Sequence, residues 1–301
     1  MILLIEIIMK NLSTLKNLLL FLAFIPILGI SQISITNMPL DNQLVPRSLD
    51  SNTGKFSVEG SVDLNQVSYE ALRITIIKTQ NGINSEYAVQ EKSFSGSTGT
   101  VTFKFDVEIQ AILANFTVQL SGINGSDISI IDNPGGRGKN IVSGDVFVIQ
   151  GQSNAEAKPY EGSSDPLKSE FVRVFANGTN NSLALEQNPY WYIGEGDVTN
   201  YTNGNTGQWG MKFAREIIDE QKIPVAIING ASPGKPREYF AVGYDENQSK
   251  NNYQRLLFRL NSSGLKDAVR GIFWSQGESD VNTSLNEYVT AFDDLTQNWR
   301  S

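Results

Sequence analysis

From about Ile33 to Asn140 the apolar residues come in short runs that alternate with polar ones. "KFSVEGSV", "ALRITIIKT", "TVTFKF" and "NFTVQLSG" are β-branched or aromatic, and clusters such as "NGINS", "SGSTGT" and "NGSD" stand between them. A period of two bounded by turn residues predicts strands. Several such strands in succession predict a small β-sandwich over 33–140, expected to support its neighbour rather than to contact carbohydrate. "DNPGGRGKN" (Asp132 to Asn140) is Gly-rich and carries Lys139. It misses the phosphate-loop spacing G-x-x-x-x-G-K-[ST], has Asn140 in place of a hydroxyl residue, and leads into a strand pattern, so it reads as a linker.

After Val142 the period changes. "DVFVIQ", "VAIING" and "GIFWSQG" are compact apolar runs, the second opened by Pro224. Between and after them apolar residues recur at helical spacing: Phe213, Ala214, Ile217 and Ile218 within Trp209 to Gln221; Tyr253, Leu256, Leu257 and Leu260; then Leu285, Tyr288, Val289, Phe292, Leu295 and Trp299. Strands alternating with helices predict a parallel sheet with helices on its faces over 141–301. The sequence ends at Ser301 just after a helical stripe, where a further strand is expected, so the sheet is expected to be incomplete. "NPYWYIGEGD" (Asn188 to Asp197) sets Tyr190, Trp191 and Tyr192 in a polar loop region, either as a rim that stacks on sugars or as a cover over the core.

At the start, Lys10 and Lys16 precede an apolar run from Leu18 to Ile30, and Gly29 and Ser31 offer small residues at its exit. A basic start, a short apolar stretch and a small-residue exit predict a secretory signal over 1–31, with Met9 a second candidate start, and hence a secreted or periplasmic protein. The run falls short of the roughly 18 residues of a spanning helix, so no stable membrane span is expected once the signal is removed. Asn-x-Ser/Thr triplets at Asn115, Asn177 and Asn200 are glycosylation sites only in a host that glycosylates. The 301 residues have a formal net charge of −8, which argues against nucleic acid and anionic membrane as partners. With neither Cys nor His there is no disulfide, no thiol nucleophile and no ordinary zinc site.

The polar ends of the three apolar runs are where chemistry gathers. They read Gly151-Gln152-Ser153-Asn154, then Asn229-Gly230 through Ala231, Ser232, Pro233 and Gly234, then Gln276-Gly277-Glu278-Ser279-Asp280. In open parallel sheets ligands bind beyond the carboxyl ends of the strands, so the three loops are expected to share one crevice. Ser153, at a strand–turn–helix junction, is the expected nucleophile, with free N–H groups of the helix start stabilising an oxyanion. The alternative is that Ser153 only caps the helix. Ala155 stands where a G-x-S-x-G elbow has its second glycine.

"GDVFVIQGQSNA", "IPVAIINGASPGKPREYF" and "FWSQGESD" resemble three blocks of the SGNH-hydrolase superfamily, in its sialate O-acetylesterase and carbohydrate acetylesterase branch. The resemblance covers roughly Ser143 to Ser301. It implies a flavodoxin-like three-layer α/β/α domain, removal of O-acetyl groups from sugars, an acetylated carbohydrate as partner, and neither cofactor nor metal. By motif, Ser153 matches the nucleophile, Gln276 a side chain of the oxyanion hole, and Asn154 and Glu278 substrate-positioning residues. Arg237 either contacts substrate or forms a surface ion pair. Paired glycines of the family read Pro233-Gly234 here. Proline has no N–H to give, so Gly234 is the expected backbone donor. The family's Asp-x-x-His has no counterpart in this sequence. That reads as a chain cut short before the base, which as given is expected to be nearly inactive. Two further readings stay open: a glycan-binding protein without catalysis, and a glycosidase using Glu278 with Glu156 or Asp280.

Overall fold

The computed structural model describes residues 32–176, 190–198, 203–244 and 252–301. The proposed signal lies outside them, as do Asn177 and Asn200. The strands are β1 (Ile33–Asn37), β2 (Leu44–Pro46), β3 (Thr53–Asp63), β4 (Ala71–Gln80), β5 (Ile83–Ser93), β6 (Thr100–Gln110), β7 (Asn115–Asn124), β8 (Asp127–Ile131), β9 (Val142–Gly151), β10 (Val172–Ala176), β11 (Tyr190–Ile193), β12 (Val225–Asn229) and β13 (Val269–Ser275). The helices are α1 (Ser153–Glu156), α2 (Gln208–Gln221), α3 (Asn252–Ser262) and α4 (Leu285–Arg300). The chain is a mixed α/β protein.

Alternation governs the first part. One antiparallel sheet runs β1-β3-β6 and another β5-β4-β7-β8. Every second residue turns inward: Val58 and Val62 from β3, Phe103, Phe105, Val107 and Ile109 from β6, Leu72, Ile74 and Ile76 from β4, and Phe116, Val118 and Leu120 from β7, all in one buried cluster. "NGINS" does hold a turn, at Asn81 and Gly82, but the strand β5 begins within it. Asn81 and Gly82 both have positive φ, 53° and 75°, as a two-residue hairpin loop requires. β5 is polar because it is mostly exposed, so it carries no apolar period. The segment read as a linker is tied down: Arg137 donates to Met38 O at 2.7 Å and the Lys139 amide to the Asp41 carboxylate at 2.8 Å.

β9 joins the two parts. Its start pairs in parallel with β2 (Leu44↔Val142), and its end lies between β12 and β13, parallel to both. The whole order is β11-β10-β12-β9-β13, with only β11 antiparallel. Side chains alternate between the faces. Val146, Val148, Ala226 and Ile228 pack with Leu256 and Leu260 of α3. Ile149, Val225 and Ile227 pack with Met211, Ala214, Ile217 and Ile218 of α2, and Phe147 lies against the same cluster.

Two expectations change. Tyr190, Trp191 and Tyr192 form a strand rather than a loop; Trp191 is buried with its ring 5.4 Å from Phe175, because pairing with β10 draws it into the core. The last helical stripe divides. Phe292 and Trp299 pack on Trp274 at 5.7 and 5.6 Å. Leu285 and Val289 stay exposed, since nothing among the described residues covers that side of α4. A groove of about 830 Å³ lies between α3, β13 and α4, lined by Leu256, Leu260, Ile272, Trp274, Phe292 and Trp299.

At the other end of β9, the Asp145 carboxylate takes two hydrogen bonds from Arg47, at 2.9 and 2.7 Å, and one from Arg270 at 3.0 Å. Burial pushes the Asp145 carboxyl up, but the bonds from both arginines outweigh it and hold the group below its ordinary 3.8. A lowered folded pKa means stability that is present above the unfolded value and lost as pH falls through the folded one. Asp145→Asn is expected to cost about 3 kcal/mol at pH 7, since it strips the charge from a buried pair. The gap to the wild type should narrow below about pH 4. Urea titrations at both pH values read this directly.

Candidate active site

β9 ends where it can because residue 151 is glycine. Gly151 has φ 129°, and a Cβ there would lie 2.0 Å from Ser275 O. The Gln152 amide then donates to Ser275 O at 2.9 Å, which lashes the end of β9 to that of β13. Ser153 follows at the start of a single helical turn, closed by Ala157 in the left-handed region at φ 50°. The helix expected to follow the turn is a single turn of four residues, too short for a macrodipole to support an oxyanion. Ala155 and Glu156 are buried under the turn, whereas Ser153 and Asn154 are exposed. The amides of Ala155 and Glu156 donate to Gln152 O, and that of Ala157 to Ser153 O. The amides of Ser153 and Asn154 stand ahead of these bonds.

The second loop is built on Asn229. Its side chain accepts from the Ala231 amide at 3.0 Å and donates to Thr206 O at 3.1 Å, so the strand end is fixed from both sides. The Ser232 amide donates to Gly151 O at 2.9 Å, which joins this loop to the first. Below it Arg259 donates to Phe175 O at 2.9 Å and to Asn229 O at 2.8 Å, closing the ends of β10 and β12. Burial pushes the Arg259 guanidinium down to about 10, so it stays charged at neutral pH where it joins the two strand ends. Gly234 is exposed, with φ 68° and nothing within 4 Å of a Cβ added to it. Pro233 and Gly234 thus lie at the surface, with open space where a side chain at 234 would project.

The third loop is stitched to both others. The Gln152 side chain, itself buried, accepts from the Ser279 amide at 3.1 Å and the Gly277 amide at 3.5 Å. Asn154 donates to the Glu278 carboxylate. Gln276 Nε2 donates to Asp280 and, at 3.3 Å, to Lys235 O, while Gln276 Oε1 accepts from the Tyr288 hydroxyl at 2.9 Å. Asp280 also accepts from the Arg237 amide at 2.8 Å.

Of the residues singled out in the sequence, Asn154 and Glu278 are in direct contact. Gln276 bonds the residue after Gly234, and Ser153 lies between two residues bonded to the third loop. The guanidinium of Arg237 lies 5.6 Å from the Tyr288 ring centroid. Glu156 is in the interior, 1% exposed, so it does not face the crevice beside Glu278. Gln152, Tyr288 and Arg259 escaped the sequence reading. For Gln152 a signal existed, a long polar side chain between a glycine and the serine; Tyr288 read only as one of an apolar helical stripe, and Arg259 carried no signal in the sequence. Among the described residues no group of three His, Cys, Asp or Glu could hold a metal ion, and no helix is long and apolar enough to cross a membrane.

The family model described as carbohydrate esterase, sialic acid-specific acetylesterase matches residues 143–301. No curated protein matches. Among solved structures, a carbohydrate acetylesterase from Xanthomonas citri is 18% identical with a TM-score of 0.48, over 88% of this chain and 57% of its own. A protein from Arabidopsis thaliana is also 18% identical, with a TM-score of 0.39, over 52% of this chain and 68% of its own. The present chain thus spans little more than half the length of the first of these. The match to the family model takes in all three loops and more than half of the sequence, and on it the chain belongs to the carbohydrate esterase, sialic acid-specific acetylesterase family.

Proposed function

We propose that the protein is a carbohydrate O-acetylesterase whose substrate is an O-acetylated sugar of the sialic acid class. The observation that carries this reading is the knitting of three loops at the carboxyl ends of β9, β12 and β13 around an exposed Ser153. In the proposed reaction the Ser153 hydroxyl attacks the acetyl carbonyl carbon as a base removes its proton. The carbonyl π pair moves onto oxygen. That oxyanion is held by backbone N–H groups, with Gly234 N assigned as one, and by Gln276 Nε2. Collapse expels the sugar alkoxide, which takes a proton, and water then frees the acetyl group from Ser153. Both Gln276 amide hydrogens are engaged, so the carbonyl oxygen would displace Lys235 O, the longer of the two acceptors. Asn154 and Glu278, bonded to each other, are assigned to holding the sugar.

The 301 residues contain no histidine, so the base of this scheme is not an imidazole of this chain, and slow turnover is expected of it alone. The same observation favours a second reading, glycan binding without turnover. We also infer a secretory signal over 1–31 and a secreted or periplasmic location. The two antiparallel sheets that share a core support a sandwich over 33–140. The alternating faces of β9 and β12 support a flavodoxin-like three-layer unit over 141–301.

The test supplies the missing base. The polypeptide is incubated with O-acetylated sialic acid and with imidazole at increasing concentration, and free acetate is measured. Release that saturates with sugar and rises with imidazole is expected. Sugar binding by calorimetry with no saturable release would favour the second reading, and neither binding nor release would overturn both.

A further inference from the structure

Gln276 is held by both ends of its amide, and the two holders differ in kind. A carboxylate only accepts hydrogen bonds, so Asp280 selects the NH₂ end. At the other end the Tyr288 hydroxyl lies 2.9 Å from Gln276 Oε1 and 3.1 Å from Gln276 O. That hydroxyl in turn accepts from Trp274 Nε1 at 3.2 Å, so its one proton is left to point at Gln276. A flipped amide would set Oε1 against the carboxylate. We propose that Tyr288 and Asp280 are positioning residues that fix the Gln276 side chain so that its NH₂ group, and never its oxygen, faces the second loop and any acyl oxygen bound there.

The proposal rests on the esterase reading only for its consequence. An amide oxygen presented to an oxyanion repels it, whereas NH₂ stabilises it. Nothing in α4 itself demands a phenol at 288: the ring stacks near Phe292 at 6.4 Å and lies under Arg237, contacts that phenylalanine would keep. Tyr288→Phe therefore removes the hydroxyl alone. Asp280→Ala removes the one carboxylate oxygen, Oδ2, that accepts both from Gln276 Nε2 and from the Arg237 amide.

The experiment has two arms. Glutamine side chains are labelled with ¹⁵N and the Gln276 NH₂ pair is assigned with Gln276→Ala. In the wild type the pair should be well resolved and slow to exchange with water. In either variant exchange should speed up by about 10-fold, as hydrogen-bonded anchors are lost. In the imidazole-supplied acetate assay each variant should lose about 10-fold in kcat, less than full removal of an oxyanion donor, with KM within about 2-fold. An unchanged Gln276 signal in both variants overturns the proposal, as does a freed amide with unchanged kcat in an active protein. A wild type that releases no acetate overturns the esterase reading instead, and the exchange arm still decides whether Tyr288 and Asp280 hold the amide.

Discussion

Ser153→Ala is expected to be nearly silent in the polypeptide alone and costly once a base is supplied. Without added imidazole, acetate release should fall by less than about 3-fold; with it, the variant should trail the wild type by at least about 10-fold. The reason is that a serine and its base act as a unit. In complete serine hydrolases the loss of either costs about as much as the loss of both, so a chain that contains no histidine has already forfeited most of what Ser153 could contribute. What remains is stabilisation by N–H donors and sugar binding, which the variant keeps. Imidazole in solution restores the proton acceptor, and the exposed position of Ser153 leaves it room to approach. Its own hydrolysis of the ester is measured without protein and subtracted from both rates. A large effect of Ser153→Ala without imidazole would mean that another group of the chain takes the proton. Equal rates with imidazole would remove Ser153 from the chemistry.

Much of this was legible in the sequence, unevenly. The apolar strands β9, β12 and β13 and the helix α2 declared themselves, because burial on both faces of a sheet or along one stripe leaves a strong period. β5 did not, since an exposed edge strand needs only a hairpin turn and a partner. The run Tyr190–Ile193 misled for the opposite reason: aromatic residues among polar ones look like a loop, although pairing with β10 buries Trp191. At the candidate site, Ser153, Gln276 and Asn154 were marked by their motifs, and the structure sets them on loops that hydrogen-bond one another. The roles of Tyr288 and Gln152 could not, because each depends on a partner far along the chain, and separation in sequence hides hydrogen bonds such as those from the Ser279 amide to Gln152 and from Tyr288 to Gln276. The helix start at Ser153 was legible but its length was not, because a cap-like serine signals only where a helix starts. Here Ala157 turns left-handed after one turn.

The geometry of the first loop makes its strongest demand on Gly151. Gly151→Ala is expected to destabilise the fold by about 4 kcal/mol, at the far end of what single substitutions do, and to abolish acetate release even with imidazole. Two costs combine. At φ 129° an L-residue is strained, and the added Cβ would sit 2.0 Å from Ser275 O and 3.0 Å from Ser275 N. Those atoms belong to the backbone of β13, which is hydrogen-bonded to β9 along its length, so neither can yield without parting the strands. Separation would break the bond from the Gln152 amide to Ser275 O and shift the Gly151 carbonyl away from the Ser232 amide, loosening both links that the first loop makes through its backbone. Gly234→Ala is the control. It too has a positive φ, 68°, but a Cβ there meets nothing within 4 Å, so only the backbone preference is lost, about 1 kcal/mol. Urea unfolding of the two variants separates clash from strain. Equal midpoints would show that the close approach of β9 and β13, on which the placement of Ser153 depends, does not exist in solution.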